Sequence, residues 1–136
     1  MQISFSKQEG RVPVTIMQLI GNLDASNYAE VIAKAQTTYD EGARDLLIDL
    51  SKVPYVSSAG LMSIHSVALI FAGNSLNVKD SGRPAFRSIN AQNEKAVRLH
   101  VKLLNPQPDV EQVLDVVGLK HFLDIFTDLG AALQSF

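Results

Sequence analysis

This sequence predicts an α/β fold, with helices packed on a mixed or mostly parallel sheet. Three observations carry that expectation. Short apolar runs of strand length alternate with longer stretches of helical period. Gly, Asn and Pro punctuate nearly every junction between them. The chain has 136 residues, 46% of them hydrophobic and 19% charged, enough for one ordinary domain with a buried core. The expected order is β β α β α β α β α, with no internal repeat.

Each element has its own signal. Ile3–Gln8 alternates apolar and polar residues, as a half-buried strand does. Glu9-Gly10-Arg11 is a turn. Val12–Ile20 is β-branched and apolar, and Pro13 near its start suits an edge or a strand beginning. Gly21-Asn22 breaks it. Asp24 and Ser26 are both candidate N-caps for a helix over Tyr28–Asp40, with Val31, Ile32, Ala35 and Tyr39 on one side. Glu41-Gly42 ends that helix. Arg44–Leu50 is a buried strand with parallel neighbours. Ser51–Ser58 is a loop containing Pro54. Ala59–Ala72 is a mostly apolar helix, so both its faces are expected to be covered. Gly73–Lys95 is polar and rich in Gly, Ser and Asn, and reads as a surface excursion or a helix tail followed by a loop. Ala96–Leu104 alternates again, as a strand. Pro108–Val117 is a helix with Asp109 as its cap. Leu119–Phe126 carries a short final strand, and Asp128–Phe136 a last short helix.

Composition narrows the function classes. The net charge of −2 gives no basic footprint for nucleic acid. With no Cys there is no disulfide, thiolate chemistry or cysteine-ligated metal. That suits a reducing cytoplasm. The start, MQISFSKQEGR, has no apolar core of a signal peptide. Val67–Ala72, the longest apolar stretch, falls far short of the ~20 residues that span a bilayer. No metal-spaced cluster and no Gly-rich phosphate loop occurs, so no cofactor is expected. Arg83, Arg87, Lys95 and Arg98 tilt 73–98 towards basic, as a solvated loop or an added contact surface would be.

Ser57-Ser58-Ala59-Gly60 stands where a loop meets the apolar helix. A helix N-terminus carries about +0.5 of an elementary charge and has unpaired N–H groups. Serine there is a favoured cap. A phosphate on that serine would be stabilised by the same N–H groups. Spacing alone leaves both readings open. A serine hydrolase is not supported. His65 is seven residues after Ser58 on the same helix, roughly 10 Å of rise, against the ~3 Å a nucleophile–base pair needs. No G-x-S-x-G elbow is present, and His100 and His121 stand isolated in apolar runs.

The segment from Asp49-Leu50-Ser51 through Val53-Pro54-Tyr55-Val56 to Ser57-Ser58-Ala59-Gly60-Leu61 resembles the signature of the STAS domain family, anti-sigma factor antagonist type. Gly21-Asn22-Leu23-Asp24 is similar to that family's Gly-x-Leu-Asp. Val117-Gly118-Leu119, Ile125-Phe126 and Ala131-Ala132-Leu133 are similar to its usual ending. The resemblance implies a STAS-like α/β fold, a four- to five-stranded mixed sheet with about four helices, over residues 1–136. A loop insertion is expected at 73–96, where family members have a shorter connection.

In antagonists of this family, a serine at the helix start is phosphorylated by a kinase that is also the anti-sigma factor. By position that serine is Ser58. Many members have Asp just before it. This sequence has Ser57, which makes Ser57 the alternative acceptor and removes a carboxylate from kinase recognition. Asp24 matches the family's Asp near the switch, and is equally an ordinary cap.

The implied partner-binding surface is Asp24, Ser57, Ser58, Ala59, Gly60, Leu61 and Met62. The implied partners are an anti-sigma factor/serine kinase, which would own the ATP, and a serine phosphatase. Neither direct nucleic-acid binding nor membrane insertion is expected. The other reading is a constitutive docking or scaffold subunit of a membrane transport complex or signalling assembly, its serines serving only as caps.

Overall fold

The computed structural model describes residues 1–73 and 91–136. Most of the polar stretch expected to be an insertion, 74–90, lies outside the described residues.

The chain begins with a hairpin. β1 (Gln2–Glu9) and β2 (Pro13–Ile20) pair antiparallel in unbroken register, from Gln2 opposite Ile20 to Glu9 opposite Pro13. Pro13 opens β2, where a missing N–H is tolerated. α1 (Tyr28–Asp40) follows, and Gly42 (φ +114°) turns the chain into β3 (Leu46–Lys52). Then come α2 (Ser58–Phe71), α3 (Ala91–His100) and β4 (Val101–Leu104). α4 (Pro108–Val116), a 3-10 turn at Leu119–His121, β5 (Asp124–Phe126) and α5 (Leu129–Gln134) complete the chain. The sheet order is β1-β2-β3-β4-β5, and every pair beyond the hairpin is parallel. Among the described residues, the expected mixed sheet is therefore five-stranded.

Strand alternation divides the sheet into two unequal faces. Met17, Leu19, Leu46, Ile48, Leu50, Val101 and Leu103 face the larger core, with Val31 and Ala35 of α1 and Ile64, Val67 and Phe71 of α2. Tyr39 closes that side edge-on against Phe71, with ring centroids 5.3 Å apart. Val14, Ile16, Leu47 and Leu104 face the other way, into a smaller core covered by Ala132 and Leu133 of α5 and by Phe136 after it. The almost wholly apolar α2 is buried over nearly its whole length, as its composition requires.

Several local expectations change, and β3 itself starts and ends two residues later than expected. Ala96–His100 is the end of α3, not strand. In one strand Val97, Leu99 and Val101 would share a face, whereas here Val97 is buried and Leu99 is 55% exposed. β4 keeps only the four residues that register with Leu46–Asp49. The N-cap of α1 is Asn27, so neither Asp24 nor Ser26 caps it. Gln107 holds the cap position of α4, because Pro108 supplies the preset φ of the first turn and Asp109 falls inside that turn. α2 begins at Ser58, one residue before the expected start.

Candidate functional site

The site is built at the carboxyl end of the parallel strands, where the ends of β2 and β3 run side by side into loops. Gly21 N–H donates to Lys52 C=O (3.0 Å), Leu23 N–H to Tyr55 C=O (2.9 Å) and Ser57 N–H to Leu23 C=O (2.9 Å). Leu23 and Val56 form a single parallel bridge. Residues 21–23 therefore act as a guide rail for the loop that delivers the chain into α2.

Gly60 explains why the two motifs meet here. A Cβ at that position would lie 2.5 Å from the Leu23 carbonyl oxygen and 2.9 Å from side-chain carbons of Leu23 and Val56. Only a residue without a side chain lets the first turn of α2 settle on Leu23. The Gly-Asn-Leu-Asp segment and the Ser-Ser-Ala-Gly step are two halves of one packing contact.

The two serines have different roles. Ser57 is the N-cap of α2, with extended backbone, and its hydroxyl oxygen accepts from Gly60 N–H at 3.2 Å. Ser58 is the first helical residue and is exposed. Among the described residues, the Ser58 hydroxyl and the N–H groups of Ser58 and Ala59 make no hydrogen bond. Those two N–H groups are the orphan donors of the helix start, and the positive end of the helix dipole lies with them.

Asp24 stands beside this junction, one residue after Leu23. It shapes a tight turn instead of capping α1. Its carboxylate accepts from both the hydroxyl and the N–H of Ser26, while Asn27 Oδ1 accepts from Asp24 N–H at 2.9 Å. The Ser26 hydroxyl bond, and then its N–H bond, hold the Asp24 carboxyl below the usual carboxylate range. Ala59 and Met62 are partly exposed, but Gly60 and Leu61 are buried. Those two shape the site from inside and offer no contact surface.

The sequence reading missed Tyr55. It is 54% exposed, whereas its neighbour Val56 is buried. The Leu23–Val56 bridge sets this alternation, turning Val56 inwards and Tyr55 outwards. Tyr55 lines a groove of about 90 Å³ with Pro54, Val56, Asp109, Val110 and Val113, so α4 joins the same surface. An aromatic one residue from an inward-facing Val was the available signal.

No nucleophile–base pair forms here, since Ser58 is exposed and His65 is buried further along α2. Among the described residues, no group of three or more His, Asp or Glu could hold a metal ion. None of the described helices is long and apolar enough to cross a membrane.

Comparison with known proteins agrees with this architecture. The STAS domain model matches residues 6–72, from β1 to the end of α2. No curated protein matches the chain. Among solved structures, a Thermotoga maritima protein described as a candidate anti-sigma factor antagonist is 18% identical, with a TM-score of 0.68 over 96% of this chain and 92% of that one. The Bacillus cell fate determinant SpoIIAA, in its phosphorylated form, is 18% identical, with a TM-score of 0.55 over 95% of this chain and 96% of that one. The murine solute carrier 26 family member A9 anion transporter is 13% identical, with a TM-score of 0.60 over 90% of this chain but only 17% of the transporter. At these identities the likeness is one of fold. The family match over 6–72 includes both halves of the Leu23–Gly60 contact, and this part of the chain is a STAS domain by that match.

Proposed function

We propose that this protein is a non-enzymatic switch of the anti-sigma factor antagonist type, acting in the cytoplasm and turned off by phosphorylation of Ser58. The observation that carries the reading is the division of labour at the start of α2. Ser57 is engaged as the cap, while Ser58 is exposed beside two unbonded N–H groups. The SpoIIAA fold, solved in a phosphorylated form, supports it.

The mechanism is electrostatic. Unmodified Ser58 lies in a docking surface with Asp24, Ala59, Met62 and Tyr55. Phosphorylation adds about −1.5 to −2 charges there. The orphan N–H groups and the helix dipole stabilise the phosphate, so the fold tolerates it. A partner surface fitted to a neutral hydroxyl does not, because it would have to bury that charge unpaired. Docking is lost and the partner is released. The partner class is an ATP-binding serine kinase that doubles as the anti-sigma factor, and a serine phosphatase resets the switch.

The likeness to the anion transporter favours a second reading. In it the domain docks constitutively on a membrane transport assembly and its serines are not modified. Affinity capture from lysate with wild type, Ser58→Ala and Ser58→Asp separates the two. The switch reading expects a soluble ATP-binding kinase on wild type and Ser58→Ala, weakened at least roughly tenfold on Ser58→Asp. A transport complex captured equally by all three would overturn it.

A further inference from the structure

β1 is an eight-residue edge strand whose only charges, Lys7 and Glu9, lie towards one end. It has no proline and no bulge, its register with β2 is unbroken, and its residues are exposed except for the half-buried Ile3. The direction of its backbone groups follows from its neighbour. Thr15 N–H donates to Asp45 C=O and Gly21 N–H to Lys52 C=O, so odd-numbered residues of β2 turn their backbone groups towards β3. Even-numbered ones therefore bond to β1, pairing with Gln2, Ser4, Ser6 and Gln8. The N–H and C=O groups of Ile3, Phe5 and Lys7 point outwards, along an edge that no other described strand pairs with. Phe5 is 39% exposed, at the wall of a half-open cleft of about 310 Å³ with Lys7, Thr15, Thr38, Glu41 and Ala43.

We propose that this edge is occupied by a second copy of the chain, with β1 paired antiparallel to β1 about a two-fold axis at Phe5. The strand complements itself in that register. Ile3, Phe5 and Lys7 of one copy meet Lys7, Phe5 and Ile3 of the other, and all of them carry outward donors and acceptors. Gln2 meets Gln8 and Ser4 meets Ser6. The two Phe5 rings lie across from each other as an aromatic cross-strand pair. The charges select this arrangement too. Lys7 and Glu9 both sit towards one end of β1, so antiparallel pairing carries like charges to opposite ends. Parallel pairing, or an axis at Lys7, would set the ammonium groups together. A single strand pair buries less than the ~1,200 Å² of a standard interface, so the dimer is weak and depends on concentration.

The chain contains no Cys, so one introduced thiol reports cleanly. Phe5→Cys under mild oxidation is expected to give a disulfide-linked dimer, well ahead of Gln112→Cys on the exposed face of α4. Sedimentation equilibrium of wild type at rising concentration is expected to approach the mass of two chains. Phe5→Glu, with its fold checked by circular dichroism, should raise the dissociation constant at least roughly tenfold, because two carboxylates then meet at the axis. A wild type that stays monomeric across the range overturns the proposal. So does Phe5→Cys that cross-links no faster than Gln112→Cys, or Phe5→Glu that dimerises as wild type does.

Discussion

Two adjacent serines share a type and a motif here and differ in what depends on them. Removing the Ser57 hydroxyl takes away the acceptor for Gly60 N–H. Ser57→Ala is expected to cost about 1 kcal/mol of unfolding free energy, as cap deletions do. Ser58→Ala should stay within ~0.5 kcal/mol of wild type, as at an exposed position without partners. Urea denaturation of the two variants checks the assignment, and reversed costs would exchange the roles. Asp24 makes a pH prediction. Its folded carboxyl is held below the ordinary range by Ser26, so the fold favours the ionised form. The stability this adds is complete above the ordinary carboxylate range and is lost as pH falls through the lowered value. The gap between wild type and Asp24→Asn should thus be widest near neutral pH and close on acidification, read from denaturation midpoints against pH. A gap that widened in acid would contradict the Ser26 assignment. The motif was legible at residue scale, since Ser57 and Ser58 stand out in the sequence. Which serine caps was not, because that depends on where α2 begins to within one residue.

Two glycines show how elements are brought together. Gly60 lets α2 rest on Leu23, and Gly10 does the same for α5. A Cβ on Gly10 would lie 2.6 Å from the carbonyl oxygen of Leu133. Gly60→Ala and Gly10→Ala are each expected to cost about 1–3 kcal/mol, as overpacked substitutions do. They should do so in different places, with amide exchange rising at the start of α2 for the first and across α5 for the second. Equal loosening throughout would show that the contacts are not local. Most elements were legible because their apolar runs are bounded by Gly, Pro or Asn. α3 was not. Its last turn borrows the alternation of β4, and only the tertiary partners separate them. Arg98 reaches Asp124 at 3.3 Å, and His100 Nδ1 lies 2.9 Å from Asp45 Oδ1, both from a helix. Such contacts span 26 and 55 residues and leave no mark on local periodicity.

Across the whole molecule, the candidate site and the sheet are one construction. Parallel strands β2 and β3 deliver both motifs to the carboxyl end of the sheet, where open α/β folds commonly bind their partners. The sequence carried the motifs and, α3 apart, the order of strands and helices. It did not carry the groove between Tyr55 and α4, which joins residues about fifty positions apart. Because Ser58 is exposed and next to N–H groups that make no bond among the described residues, the proposed phosphorylation should change binding without changing the fold. The most direct measurement is site-resolved mass spectrometry of the protein purified from its native cells, with and without stress, beside a Ser58→Ala variant. The switch reading predicts a single added phosphate that maps to Ser58 and is missing from the variant. No phosphate under any condition, or one that persists in Ser58→Ala, would contradict it.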